Sequence, residues 1–146
     1  MSTAWRPVRV CADVSVGDEL PGTTIHVDRA RLIQYAGASL DRNPIHWDET
    51  FAKSVGLPDV IAHGMFTMGA AVTIVTDWVG DPGRVTDYSV RFPEPVVVPY
   101  ETGADIEVTG VVTARDEASR LVTIELTVTS EGVKVLGKAV AVARLD

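Results

Sequence analysis

The chain has 146 residues, 46% of them apolar and 23% charged, with a formal net charge of −7. That length and balance suit one folded domain, able to bury a core without disulfides or metal staples. The acidic balance argues against nucleic acid and anionic membrane surfaces, which require clustered Lys and Arg, so neither is expected as a partner.

From the N-terminus, Met1 to Val10 lacks the apolar core of a signal peptide. Cys11 is the lone cysteine and forbids an internal disulfide, so a reducing, cytoplasmic setting is expected. Residues 16–22 are turn-rich and 23–27 are β-prone, with His26 in an exposed, structural place. Asp28 is suited to cap a helix over 29–38, with Leu32, Ile33 and Ala36 on one face. Asp48 is suited to cap a short helix over 49–55, ended by Gly56 and Pro58.

Residues 65–78 are apolar on nearly every side, which predicts a helix buried all round, with Gly69, Ala70 and Ala71 admitting close backbone. The uncharged run between Asp59 and Asp77 is shorter than the ~20 residues of a membrane span. Strand patterns then cover 85–92, 106–112, 121–128 and 133–142. Turns at 115–117 and 130–132 would make the last three an antiparallel meander. The expected class is α+β: one domain over 1–146, its sheet wrapped around the apolar helix.

The segment Asp41-Arg42-Asn43-Pro44-Ile45-His46 holds a carboxylate and an imidazole on a stiff turn, because Pro44 forbids a helical path through it. Both groups exchange protons near neutral pH when their surroundings shift them. The bland alternative is that Asp41 caps the turn and His46 fills a niche. Asn43 would orient a neighbouring group. At His63-Gly64, the first-turn N–H of a helix points outward, and Gly64 has no side chain to keep a ligand off it. Such a donor suits an oxyanion hole. No metal site is expected, since His26, His46 and His63 are scattered and no paired-ligand spacing occurs. Trp5, Trp47 and Trp78 are too dispersed for a stacking platform and are expected to pack.

Residues 35–46 followed by Ala52, and then Ile61-Ala62-His63-Gly64-Met65, resemble the two motif blocks of the MaoC-like (R)-specific enoyl-thioester hydratases and (3R)-hydroxyacyl-thioester dehydratases. The resemblance runs over most of the chain. A narrower likeness, carried by Asn43 to Asp48 and Trp78 to Gly83, is to the catalytic subunits of actinobacterial (3R)-hydroxyacyl-carrier-protein dehydratases. It implies a hot-dog fold and a homodimer, or a heterodimer with another hot-dog subunit. It further implies an acyl-CoA or acyl-carrier-protein thioester as substrate, with Asp41 and His46 as the acid–base pair. Gly64 would be the oxyanion donor, Asn43 would hold the loop or a water, and no cofactor would be needed.

Two positions depart from the family pattern. Leu40 stands where relatives carry Gly or a polar residue, and would either desolvate Asp41 or face the core. Val72 stands where some relatives place a Ser that supports the Asp. Two other readings are a non-catalytic acyl-binding hot-dog subunit and a hot-dog thioesterase. The latter needs a helix carboxylate, and the only candidate is Asp77 at the far end.

Overall fold

A computed structural model describes residues 7–146. Trp5 lies outside the described residues. The strands are β1 (Glu19–Val27), β2 (Val85–Arg91), β3 (Ala104–Asp116), β4 (Leu121–Ser130) and β5 (Val133–Arg144). The helices are α1 (Arg29–Ser39), α2 (Glu49–Ser54), α3 (Gly64–Ala71) and α4 (Thr73–Val79). All five strands join one antiparallel sheet in the order β1-β3-β4-β5-β2. This is the α+β hot-dog arrangement: strands that alternate in and out bury Ile106, Val108, Ile124 and Ala141 against the central helical run.

The meander forms because its turns match the twist of the strands. Glu131 (φ 50°) and Gly132 (φ 76°) make a two-residue loop with both residues at positive φ, the form favoured between right-twisted antiparallel strands. The other turn falls later than expected, because β3 stays paired as far as Asp116 opposite Leu121. β1 begins at Glu19, earlier than the β-prone run. Its register shifts between Leu20 and Thr23, which absorbs Pro21 and Gly22. Proline has no N–H for the ladder, and a Cβ on Gly22 would lie 3.0 Å from the Val108 carbonyl oxygen.

The central helical run is interrupted at Val72, giving α3 and α4. Threonine hydroxyls that bond back to the preceding turn bend helices, and Thr73 and Thr76 donate to the Ala70 and Thr73 carbonyls at 2.7 and 3.0 Å. The Val72 N–H reaches the Met68 carbonyl at only 3.4 Å. The Tyr88 hydroxyl donates to that same oxygen at 2.9 Å, and burial pushes its pKa up to about 12.

The run is also not buried all round. Thr67, Ala71, Ile74, Val75 and Val79 enter the core, whereas Met65 is 61% exposed and Gly69, Thr73 and Asp77 face outward. A Cβ on Gly69 would meet nothing within 4 Å. Close approach occurs on the sheet instead, at Gly110, where a Cβ would stand 3.0 Å from Leu126 and 3.3 Å from Ile74.

Asp28 caps α1 by accepting from the Arg31 N–H, and Asp48 caps α2 by accepting from the Phe51 N–H. Leu32 and Ala36 are buried one helical turn apart, while Ile33 falls on the outer face and is exposed. Trp47, expected to pack, is also exposed. Trp78 is half-buried beneath the Arg9 guanidinium, and His26 is exposed, its Nδ1 2.7 Å from Asp105.

Arg29, at the head of α1, ties the segments beneath the motif turn together. It donates to the Val98 carbonyl and to Asp59, both at 2.7 Å. Val98 and Ala62 in turn donate to the carbonyls of Val60 and Val96. The strip 59–62 is thereby pinned between α1 and the strand-like segment 96–98.

Candidate active site

The motif turn leaves α1 through Leu40, whose φ of 64° is left-handed. That conformation suits glycine and costs an L-residue about 1–2 kcal/mol. Leu40 neither faces the core nor covers Asp41, since 69% of it is exposed. Its unusual feature is its backbone. Leu40→Gly should therefore stabilise the protein by about 0.5–1 kcal/mol, seen as a higher urea midpoint with an unchanged slope.

Next, the turn is locked by its own side chains. The Asp41 N–H donates to Ser39 Oγ, the Asn43 N–H to Asp41 Oδ1, and the Ile45 N–H to Asn43 Oδ1, each at 3.2 Å. Asn43 is the brace that starts a 3₁₀ turn over Pro44–His46. That turn swings His46 inward until it is buried.

His46 is held by the pinned strip. Its Nδ1–H donates to the Ile61 carbonyl at 2.7 Å, while the Ile61 N–H donates to the Ile45 carbonyl at 3.1 Å. This fixes the tautomer: the lone pair sits on Nε2, which faces Asp41 Oδ2 at 3.9 Å. That gap is too long for a direct hydrogen bond. Burial holds the His46 pKa below its ordinary value, opposed by the Ile61 hydrogen bond; His63 pushes it down further and Asp41 pulls it up. The imidazole is thereby biased toward its neutral, proton-accepting form.

His63 was expected to stand apart from the other histidines, and the fold overturns that. Its ring stacks on His46 with centroids 3.7 Å apart and planes 22° from parallel, and it also packs against Tyr35. Its Nε2–H donates to the Asp41 carbonyl at 3.1 Å. Two histidines seventeen residues apart give no sequence signal of contact. The order of the two motif blocks was the only available hint.

Asp41, His46 and His63 together offer one donor atom each within 4.8 Å. The arrangement does not suit a metal ion. Each ring keeps one nitrogen free of a carbonyl, but stacked rings aim their in-plane lone pairs side by side rather than at one point.

A cavity of about 330 Å³ opens beside His46, with Leu57, Ile61, Ala62 and Val96 as apolar walls. Gly64, Thr67, Phe92 and Glu94 also line it. Gly64 is the first residue of α3, so its N–H has no carbonyl within the helix to bond. The Phe92 ring lies over Gly64, where an added Cβ would come within 3.1 Å of it. Sequence reasoning singled out His46 and Gly64 but not Thr67, on the buried face of α3, nor Phe92 and Glu94, whose positions depend on the loop after β2.

Asp41 is half-exposed beside His46, and Asn43 serves the turn. Val72 sits at the helix interruption, partly packed on the core. A larger groove of about 710 Å³ contains Asp77 and Trp78 and none of the motif residues.

The family model described as "MaoC like domain" matches residues 13–131. The chain belongs to the MaoC-like family. Over 83 residues it is 40% identical to 3-hydroxyacyl-thioester dehydratase X of Mycobacterium tuberculosis, covering 57% of this chain and 29% of that protein. It is 29% identical over 107 residues to the (R)-specific enoyl-CoA hydratase of Rhodospirillum rubrum, covering 73% of this chain and 72% of the relative. A solved chain described as a MaoC-like dehydratase superposes with a TM-score of 0.93 at 44% identity, over 99% of this chain and 45% of that one. The chain thus spans under a third of the M. tuberculosis relative and under half of that solved chain. Among the described residues, no helix is long and apolar enough to cross a membrane.

Proposed function

We propose that this MaoC-like chain dehydrates (3R)-3-hydroxyacyl thioesters to trans-2-enoyl thioesters and catalyses the reverse hydration, as a hydro-lyase of fatty acid metabolism. The observation that carries this reading is His46, whose Nδ1–H is spent on Ile61 so that its free Nε2 faces Asp41. In dehydration, neutral His46 takes the proton from carbon 2 as the double bond forms. Protonated Asp41 gives its proton to the departing 3-hydroxyl, and water leaves. The pair then holds one proton on His46 and a carboxylate on Asp41, the form that runs hydration.

Negative charge develops on the thioester oxygen during proton abstraction. The unbonded Gly64 N–H, on the same cavity as His46, would meet that oxygen. Asn43 would keep the turn rigid or hold a water. Elimination of water involves no redox step, so the chemistry needs no cofactor.

The thioester carrier in this reading is coenzyme A or an acyl-carrier protein, in a cytoplasmic setting. Dimerisation is part of it: β2 and β1 are the sheet edges, and exposed Met65 and Phe92 lie at the head of α3 and the end of β2. The partner would be a second copy or another hot-dog subunit. Thioesterase chemistry gains no support, because Asp77 lies in the other groove.

The test is to incubate the chain with trans-2-enoyl-coenzyme A substrates and follow both the enoyl absorbance and free thiol. Loss of absorbance without thiol release is expected. Thiol release, or no reaction over short to long chains in the presence of a candidate hot-dog partner, overturns the reading.

A further inference from the structure

We propose that His63 is a positioning residue for the acid–base pair: its Nε2–H anchors the Asp41 backbone while its ring sets the plane of the His46 imidazole. This rests on the hydro-lyase reading above and assigns a supporting part to a residue that touches no substrate atom in it. His63 is 1% exposed and occupies the N-cap of α3, yet it makes no side-chain bond to the helix it precedes. Ser, Asp or Asn would cap better there. Its Nε2 instead reaches back across 22 positions of sequence to the Asp41 carbonyl.

Donation from Nε2 leaves Nδ1 as a buried acceptor, and that atom has no partner among the described residues. An unpaired buried acceptor is destabilising, so filling space does not account for a histidine at this position; an apolar ring would fill it at less cost. What histidine adds is one donor and one flat face. The donor fixes the residue that carries the carboxylate, and the face lies 3.7 Å from His46. One side chain therefore sets the spacing of both reacting groups. A misplacement of about 1 Å between reacting groups costs about a hundredfold in rate.

The test compares His63→Phe, which keeps the flat ring and deletes the donor, with His63→Gln, which keeps a donor near the Nε2 position. With trans-2-butenoyl-coenzyme A, His63→Phe should lower kcat by about tenfold to a hundredfold and leave KM within about twofold. His63→Gln should recover most of that loss. The ionisable groups around His46 are Asp41 from its own turn, His63 from the head of α3 and Glu94 from the loop after β2. The His46 ¹⁵N titration midpoint should rise in His63→Phe, since His63 is one of the groups that hold it down. An unchanged kcat together with an unchanged His46 midpoint overturns the proposal.

If neither variant folds, the wild-type ¹⁵N spectrum decides: a neutral His63 protonated on Nδ1 rather than Nε2 also overturns it. A wild-type protein without hydratase activity removes the functional reading alone, and the His46 midpoint still tests the anchoring.

Discussion

Asp41→Asn and His46→Ala should each lower turnover of a trans-2-enoyl thioester by about 10³-fold, because a positioned acid or base contributes about 10²–10⁴. Asp41→Asn is the cleaner of the two. The carboxamide oxygen can still accept the Asn43 N–H that Asp41 Oδ1 now accepts, and the side chain is 53% exposed, so the turn should survive. What disappears is the carboxylate oxygen that faces His46 Nε2. His46→Ala removes a buried ring, but next to an existing cavity of about 330 Å³ rather than in sealed core. Its stability loss should fall toward the low end of the large-to-small range of about 2–5 kcal/mol. Far-ultraviolet circular dichroism and urea unfolding would establish that both variants are folded at the assay temperature. Combining the two changes should cost little more than either one, since residues that act as a unit are non-additive. Near-wild-type rates in either single variant would sink the assignment.

The features legible in the sequence were those written in local chemistry. Alternation over the last three strands, Asp28 and Asp48 as caps, and the glycine-containing loop at 130–132 each depend on a few adjacent residues. The motif turn belongs with them, because Asn43 and Pro44 determine its path within one short segment. The features that were not legible depend on what lies alongside. An apolar helix was expected to be buried all round, yet only the face carrying Ala71, Ile74 and Val75 meets the sheet. Composition reports how much apolar surface a helix has, not how many sides one chain can cover.

The same limit explains His63. The start of the apolar run placed it at the head of a helix, with Gly64 beside it. That its ring would turn away from the helix and stack on His46 follows from the strip 59–62 being pinned beneath the motif turn, through Arg29, Val98 and Ile61. No local rule specifies that pinning. Leu40 shows the converse: its side chain drew attention in the sequence, whereas its left-handed backbone explains why a glycine fits that position.

Gly64→Pro should abolish most of the hydratase activity, by about 10²–10³-fold, while Gly64→Ala stays within about tenfold of wild type. The pair separates the N–H from the space around it. Proline is tolerated at the first position of a helix, where its missing N–H has no helical partner in any case. It also restricts the preceding residue to extended geometry, and His63 already has φ −62° and ψ 130°. Both substitutions add a Cβ facing the Phe92 ring at about 3.1 Å. Phe92 is 50% exposed and can swing aside, so both variants should fold. Alanine then keeps the donor and proline deletes it, with Asp41 and His46 untouched. If the developing negative charge on the thioester oxygen is met by the Gly64 N–H, the deficit in Gly64→Pro should appear in kcat rather than KM, since the donor stabilises the transition state more than the bound thioester. Equal rates in the alanine and proline variants would instead place the oxyanion donor elsewhere on the cavity wall, with the Thr67 hydroxyl as the next group to remove.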